Sequence, residues 1–485
     1  MTIKLAFAGR KPIFIPILEH IIALSKGEIE IVMTIGKKSA DFNAASIQQI
    51  SARSSKSGPL VANRQYSGAA EPIIQILNLL RIRDEFIDHM SRRAHEGQKN
   101  HQLRALDEYH NYFSIHYDAL AAELIERKVT HVLMMDIPHR AYDTSLYHIA
   151  NALNIPTYVM AQSLFGDRFF SMKTVEQNGV FRTVEVSPPF SIEKKEECSY
   201  FYMGNIGKNN ERRGRFDIKR GMKLINFIKR QPIIEMLNPF LSFSYIKTIN
   251  KIMGKFPHWR DPFAEFFDTS EMDYFCHLMK FENKPPNLEG RFVYFPLQLQ
   301  PEMTTSALGG RFVDQAYAIE RLSAILPDDV RILVKENPKH GAYRRGPMFF
   351  HRLRRIAKVE FLPSYSDTNQ LVKRSMFVAT VTGTAGWEAI SLGKPALVFG
   401  IPWYRSFPGV IEYRDGVTFD EIMGQNWERS ELEERLGALL YRSHEGIVVP
   451  GYEALVQDYD EARNIEKVAH VIHGLLMGKI ETTFG

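Results

Sequence analysis

Residues 376–400 read MFVATVTGTAGWEAISLGKPALVFG, and this stretch decides the fold. Its first seven residues are apolar and β-branched at strand length. Gly383-Thr384-Ala385-Gly386 then turns the chain, and Trp387-Glu388-Ala389-Ile390 continues at helical period. Gly393-Lys394-Pro395 stops that helix, and residues 396–399 read as the next buried strand. Strand, small-residue turn, helix and strand are the unit of an open parallel sheet. In such a sheet the turn lies at the carboxyl ends of the strands, where free N–H groups and the helix dipole can receive a phosphate. Gly383 and Gly386 would let a phosphate approach the backbone, and Glu388, one turn in, could accept from two ribose hydroxyls. The alternative is a tight strand–helix junction followed by a solvated glutamate, and spacing alone favours neither.

The alternation continues on the N-terminal side. Residues 292–297 read as a strand, followed by Gln298-Leu299-Gln300-Pro301-Glu302 and a helix over 314–326. Residues 330–335 form the next strand, ending in Glu336-Asn337-Pro338-Lys339-His340. A helix over 347–357, a short strand over 359–362 and a helix over 367–374 complete a Rossmann-like domain. The first part of the chain opens as βαβ: a strand over 3–8, a helix over about 13–24 and a strand over 29–34. Residues 37–67 are Ser/Asn/Gly-rich and expected as loop, with a short helix near 45–53. Long helical periodicity covers 72–90 and 102–128. A buried strand over 131–135 ends in Asp136-Ile137-Pro138-His139, before a helix over about 143–153 and a strand over 156–160. Asp136 and His139 therefore stand just past a strand end, where an α/β domain presents catalytic groups. Either could act as general base toward a hydroxyl, or be a turn cap and a surface histidine.

At 485 residues, 45% hydrophobic and 24% charged, the chain has the make-up of a globular protein of two to three domains. The N-terminal MTIKLAFAGRK reads as a first strand rather than a signal peptide, and no apolar run is long enough to span a bilayer. Cys198 and Cys276 stand in no metal or redox spacing, so a reduced, cytoplasmic compartment is expected. The net charge of +5 is uneven: residues 205–260 hold thirteen Lys and Arg against three acidic residues, which leaves the remainder net negative. That local, aromatic-rich basicity excludes a general nucleic-acid binder. It points to one face meeting an anionic membrane or glycan, or to a solvated helical insert. The expected division is 1–190, a Rossmann-like domain; 191–287, the basic insert and linker; 288–455, a second Rossmann-like domain; and 456–485, a helix packing back on the first domain.

LQPEMTTS at 299–306, VKENP at 334–338, the basic region with Arg344, and TGTAGWEAISLGKPALVFG at 382–400 together resemble the bacterial capsule polysaccharide biosynthesis family, which includes Kdo transferases. The resemblance covers chiefly 292–408. It implies a GT-B-like α/β fold, two Rossmann-like domains facing across a cleft, and transfer of Kdo or a related acidic sugar. The donor would be a CMP- or UDP-linked sugar and the acceptor a surface-polysaccharide or lipid-linked glycan, with no obligatory metal and no cofactor. A nucleotide-sugar epimerase and a non-catalytic glycan-assembly protein are the alternatives. The resemblance assigns Gln300, Lys335, Asn337, Pro338, Lys339, Arg344, Gly383, Thr384, Ala385, Gly386 and Glu388 to the donor. Glu302, Asp136 and His139 are the catalytic candidates. Asn337 stands where the family motif has a histidine and brings neither charge nor a titratable proton.

Overall fold

The computed structural model describes residues 2–9, 13–35, 45–47, 65–72, 106–139, 141–182, 286–300, 302–337, 345, 347–363 and 366–485, with isolated residues 85, 222, 225, 226 and 245. Most of the basic insert, the 284–285 part of the expected linker, and Pro301, Pro338, Lys339, His340 and Arg344 lie outside them.

The first sheet is built on β1 (Ile3–Ala8), β2 (Ile29–Ile35), β3 (Ala45–Ile47), β4 (His131–Met134), β5 (Thr157–Gln162) and β6 (Arg168–Met172), with β13 (His444–Glu445) added from far along the chain. Its order is β13-β6-β5-β4-β1-β2-β3. β3 to β5 run parallel, while β6 and β13 are antiparallel to their neighbours. Helices α1 (Phe14–Ser25), α2 (Leu106–Glu126) and α3 (Ala141–Ala152) connect these strands. Burial follows the expected periods: Leu5, Ala6, Phe7 and Ala8 are covered on both faces of β1, as a central parallel strand requires.

The second sheet contains β7 (Phe292–Pro296), β8 (Arg331–Lys335), β9 (Val359–Leu362), β10 (Val378–Thr380), β11 (Ala396–Val398) and β12 (Val410–Glu412). All are parallel, in the order β12-β11-β10-β7-β8-β9. Its helices are α4 (Gln315–Ile325), α5 (Pro347–Arg354), α6 (Thr368–Arg374), α7 (Thr384–Ser391) and α8 (Phe419–Met423). In both sheets the first strand sits centrally and the chain winds outward to either side. The order reverses between β1 and β4 in one sheet and between β7 and β10 in the other. The chain therefore has two Rossmann-like domains, the GT-B-like arrangement.

The domains are joined by aromatic packing and by the returning chain. Trp387 packs on Trp403 with centroids 4.9 Å apart, and Phe165 of the first domain stands edge-on to both, at 6.1 and 5.4 Å. Asn178 Nδ2 donates to Ile401 O at 2.8 Å, and the Arg435 guanidinium lies 3.9 Å over the Phe181 ring. After α9 (Arg429–Arg442), β13 pairs with β6, so the chain rejoins the first sheet at His444, ahead of the expected boundary at 455. The terminal helix α10 (Glu461–Leu476) lays Ile465, Val468, Ala469, Ile472, Leu475 and Leu476 in one apolar cluster with Ile17, Leu18 and Ile21 of α1.

One local expectation fails. Residues 45–47 form an edge strand where a helix was expected, because the Ala-Ser-Ile backbone pairs with β2 and tertiary pairing outweighs a weak helical pattern. Beyond β5, residues 168–172 form strand β6, with Phe169, Phe170 and Met172 buried between layers.

Candidate active site

The turn after β10 holds its small residues for a reason other than an open backbone. A side chain at Gly386 would collide with the Tyr404 hydroxyl, and one at Gly383 with the Gln298 amide and with Thr380 Oγ1. Tyr404 Oη donates to Gly383 O, and Gly383 N donates to Thr380 Oγ1 at 3.1 Å. The space a side chain would take at each glycine is filled by protein. Ala385 is likewise buried, and Thr384 is half-buried at the start of α7.

Glu388 and Lys335 meet on the face of the second sheet covered by α6 and α7. Lys335, the last residue of β8, is 7% exposed, and its Nζ donates to Thr368 Oγ1 at 2.6 Å and Ser366 O at 3.1 Å. Burial lowers its pKa to about 8, against the pull of Glu388 and Asp367. Burial raises Glu388 to about 7, against the pull of Lys335. Among the described residues the Glu388 carboxylate accepts no hydrogen bond and remains half-buried in the first turns of α7. The fully buried phenol of Tyr294, two residues from the end of β7, is raised by burial and feels Thr368 and Glu388. Lys335, expected at the donor, thus gives two of its three N–H donors to the segment that opens α6.

The loops after β7 and β8 are tied together from beneath. Glu336, 3% exposed, accepts from Asn337 N at 2.7 Å and from Arg345 Nε at 2.8 Å. Burial pushes its carboxyl up and Arg345 pulls it down. Arg345 also donates to Gln298 O and lies 4.7 Å over the Phe349 ring. Gln315 Nε2 donates to Gln298 O at 3.0 Å and to Gln300 Oε1 at 3.2 Å, so buried Gln300 belongs to this framework. With its amide oxygen toward the β10 turn, Gln298 accepts from Thr380 Oγ1 at 2.8 Å and Thr382 N at 3.2 Å.

Glu302 caps the π-helical turn Met303–Ala307, accepting from Thr304 Oγ1 at 2.7 Å and Thr304 N at 3.1 Å through one carboxylate oxygen. Asp136, half-buried past β4, accepts from Ile137 N at 3.1 Å. His139 places Nδ1 2.7 Å from Ile137 O, which fixes that nitrogen as the proton carrier and leaves Nε2 as an acceptor when the ring is neutral. The backbone N–H of His139 donates to Asp143 Oδ1 at 2.9 Å. Carboxylates of the two domains converge on Tyr452, in the short 3-10 turn Tyr452–Leu455 of the returning chain. Its pKa is raised by burial first, then by Asp136 and Glu302. Val448 N and Val449 N both donate to Gln162 Oε1 at the end of β5, which seats this segment over the strand ends that carry Asp136.

Of the expected site residues, the structure brings Lys335 with Glu388, Gln300 with the Asn337 loop, and Glu302 with Asp136. Arg345, Gln298, Gln315, Tyr404 and Tyr452 went unread in the sequence. Arg345 alone left a signal there, standing beside Arg344 in the basic region after the VKENP run. Among the described residues no group of three or more His, Cys, Asp or Glu is placed to hold a metal ion, and no helix is long and apolar enough to cross a membrane.

Residues 270–443 match the family model described as capsule polysaccharide biosynthesis protein. No curated protein matches. Among solved structures, the chain is similar to the beta Kdo 2,7 transferase of Thermosulfurimonas dismutans KpsC, at 9% identity over 97% of this chain and 99% of that one, with a TM-score of 0.34. The beta Kdo 2,4 transferase of the same KpsC aligns at 13% identity over 66% and 82%, with a TM-score of 0.29. The UDP-GlcNAc 2-epimerase of Neisseria meningitidis, bound to UDP-GlcNAc, aligns at 13% identity over 99% and 100%, with a TM-score of 0.22. At such scores these likenesses carry no functional weight, and the fold rests on the strand orders themselves. The family match, over residues 270–443, takes in every motif from LQPEMTTS to the β10 turn, and over that span the chain is similar to the capsule polysaccharide biosynthesis family.

Proposed function

We propose that the chain is a GT-B-type glycosyltransferase of capsule polysaccharide assembly, moving a sugar from a nucleotide-sugar donor to a glycan or lipid-linked glycan acceptor. The observation that carries this reading is Glu388: a half-buried carboxylate that no donor among the described residues reaches, at the topological switch point of the second sheet, beside a buried lysine. In an open α/β sheet that is where a nucleotide lies, and a ribose diol supplies the two donors such a carboxylate lacks. The α7 N-terminus and the basic side chains that follow β8 would stabilise the leaving phosphate without a metal. Kdo or a related acidic sugar on a CMP- or UDP-linked donor is the specific form we propose, on the resemblance of the sequence motifs.

Transfer breaks the bond between the anomeric carbon and the phosphate oxygen and makes one to the acceptor oxygen, whose proton must leave. His139 Nε2, Asp136 and the second oxygen of Glu302 are the proposed acceptors for it. A carboxylate at the anomeric carbon would instead form a covalent intermediate in a retaining double displacement. The basic segment 205–260 is the proposed contact with the anionic acceptor or a membrane surface at the cytoplasmic face.

Incubation with a panel of CMP- and UDP-sugars, with and without glycan acceptors, tests this. Acceptor-dependent nucleotide release supports transfer. A sugar altered without any acceptor would make the chain an epimerase, and neither outcome with tight glycan binding would make it an assembly protein.

A further inference from the structure

The geometry points to Arg345 as a positioning residue that sets both walls of the donor site, an inference that rests on the donor reading above. Its guanidinium is 5% exposed and divides its hydrogen bonds between two strand-end loops. Nε donates to Glu336 Oε2 at 2.8 Å, and the other oxygen of that carboxylate accepts from Asn337 N at 2.7 Å. Nη2 donates to Gln298 O, and the side chain of Gln298 holds the Thr380–Gly383 turn that opens α7. One buried cation therefore fixes the backbone after β8 and, through Gln298, the backbone after β10. These are the loops on either side of β7, which lies between β8 and β10. Phe349 stacks over the guanidinium and keeps its plane.

A buried ion pair is weak evidence of stabilisation, because desolvating both ions consumes most of what their attraction returns. Geometric specification is what remains. The guanidinium fork meets a carboxylate and a carbonyl in one plane, which an ammonium cannot do.

The test uses the full chain carrying Arg345→Met together with Glu336→Gln, which removes both charges and leaves no stranded ion inside. The melting temperature is expected to stay within about 4 °C of the parent. Amide exchange at Asn337 and Thr382 is expected to quicken about tenfold, and affinity for CMP or UDP to fall about tenfold. Arg345→Lys keeps a charge for Glu336 but cannot also reach Gln298 O, so exchange should be slow at Asn337 and fast at Thr382. Unchanged exchange at both amides in the double variant, or exchange and affinity that follow the melting temperature alone, would overturn the inference. If the parent binds neither nucleotide, the donor reading fails, while the exchange result still decides the role of Arg345.

Discussion

Lys335 and Glu388, fifty-three positions apart in sequence, sit in one half-buried pocket and restrain one another's titration. Burial drives the carboxyl up to about 7 and the ammonium down to about 8, and each charge opposes the shift of the other. At neutral pH the pocket is therefore poised between a neutral and an ionised carboxyl. A ligand that donates hydrogen bonds to the ionised form will draw the proton off.

The sign of the pH dependence follows. Glu388 is raised from 4.5 to about 7, so in that window the folded chain holds a proton that the unfolded chain releases, and stability falls as pH rises. Lys335 is lowered from 10.5 to about 8, so above about 8 the unfolded chain holds the extra proton and stability rises again. Glu388→Gln should flatten the first slope and, by removing a charge that supports the ammonium, lower the pKa of Lys335 further. Denaturant unfolding at stepped pH and a labelled-lysine titration measure both. An unaltered slope in the variant would show that Glu388 is not the titrating group.

Tyr452 offers a readout of whether the carboxylates of both domains face one cleft. Asp136→Asn and Glu302→Gln should each lower the phenol's pKa, since each charge now raises it. Ultraviolet titration would detect the shift against the other tyrosines in a Tyr452→Phe difference spectrum. No shift from either substitution would place one domain's carboxylate elsewhere.

Gly386→Ala should destabilise the second domain by about 1–3 kcal/mol, because the added methyl meets the Tyr404 hydroxyl in a packed interior. Tyr404→Leu should lose its own hydrogen bond to Gly383 O yet make the alanine cheaper, so that the two changes are non-additive. Strict additivity in a double-mutant cycle would mean that the glycine is required for something other than room for Tyr404.

The terminal helix is bound by its apolar stripe. Truncating fully buried Ile472 to alanine should cost about 2–5 kcal/mol in equilibrium unfolding. An effect below about 0.5 kcal/mol, the range of an exposed site, would show that α10 does not belong to the core of the first domain.

What was legible in the sequence was whatever period and turn chemistry encode locally. The Gly383–Gly386 turn, the β7–β10 alternation and the apolar stripe of α10 all read out at their own positions. β13 did not, because it is held by a partner far along the chain: His444 pairs with Phe169, and a two-residue strand has no pattern of its own. The glycines were visible but their reason was not, since the Tyr404 ring that fills the space lies beyond the turn, on the next loop. Arg345 was hidden by a different logic. A charged residue in a basic run reads as solvated, and only the fold shows that its neighbours Glu336 and Gln298 converge on it.

Calorimetric titration of the parent, Glu388→Ala and Glu302→Gln with the preferred nucleotide tests the central claim most directly. Glu388→Ala should weaken binding by about 1–3 kcal/mol, the worth of hydrogen bonds to a charged group. Glu302→Gln should leave affinity within about threefold while turnover falls, as expected of a group that acts in the reaction rather than in binding. Parental affinity in Glu388→Ala, with binding lost in Glu302→Gln, would contradict the placement of the donor at the second sheet's switch point.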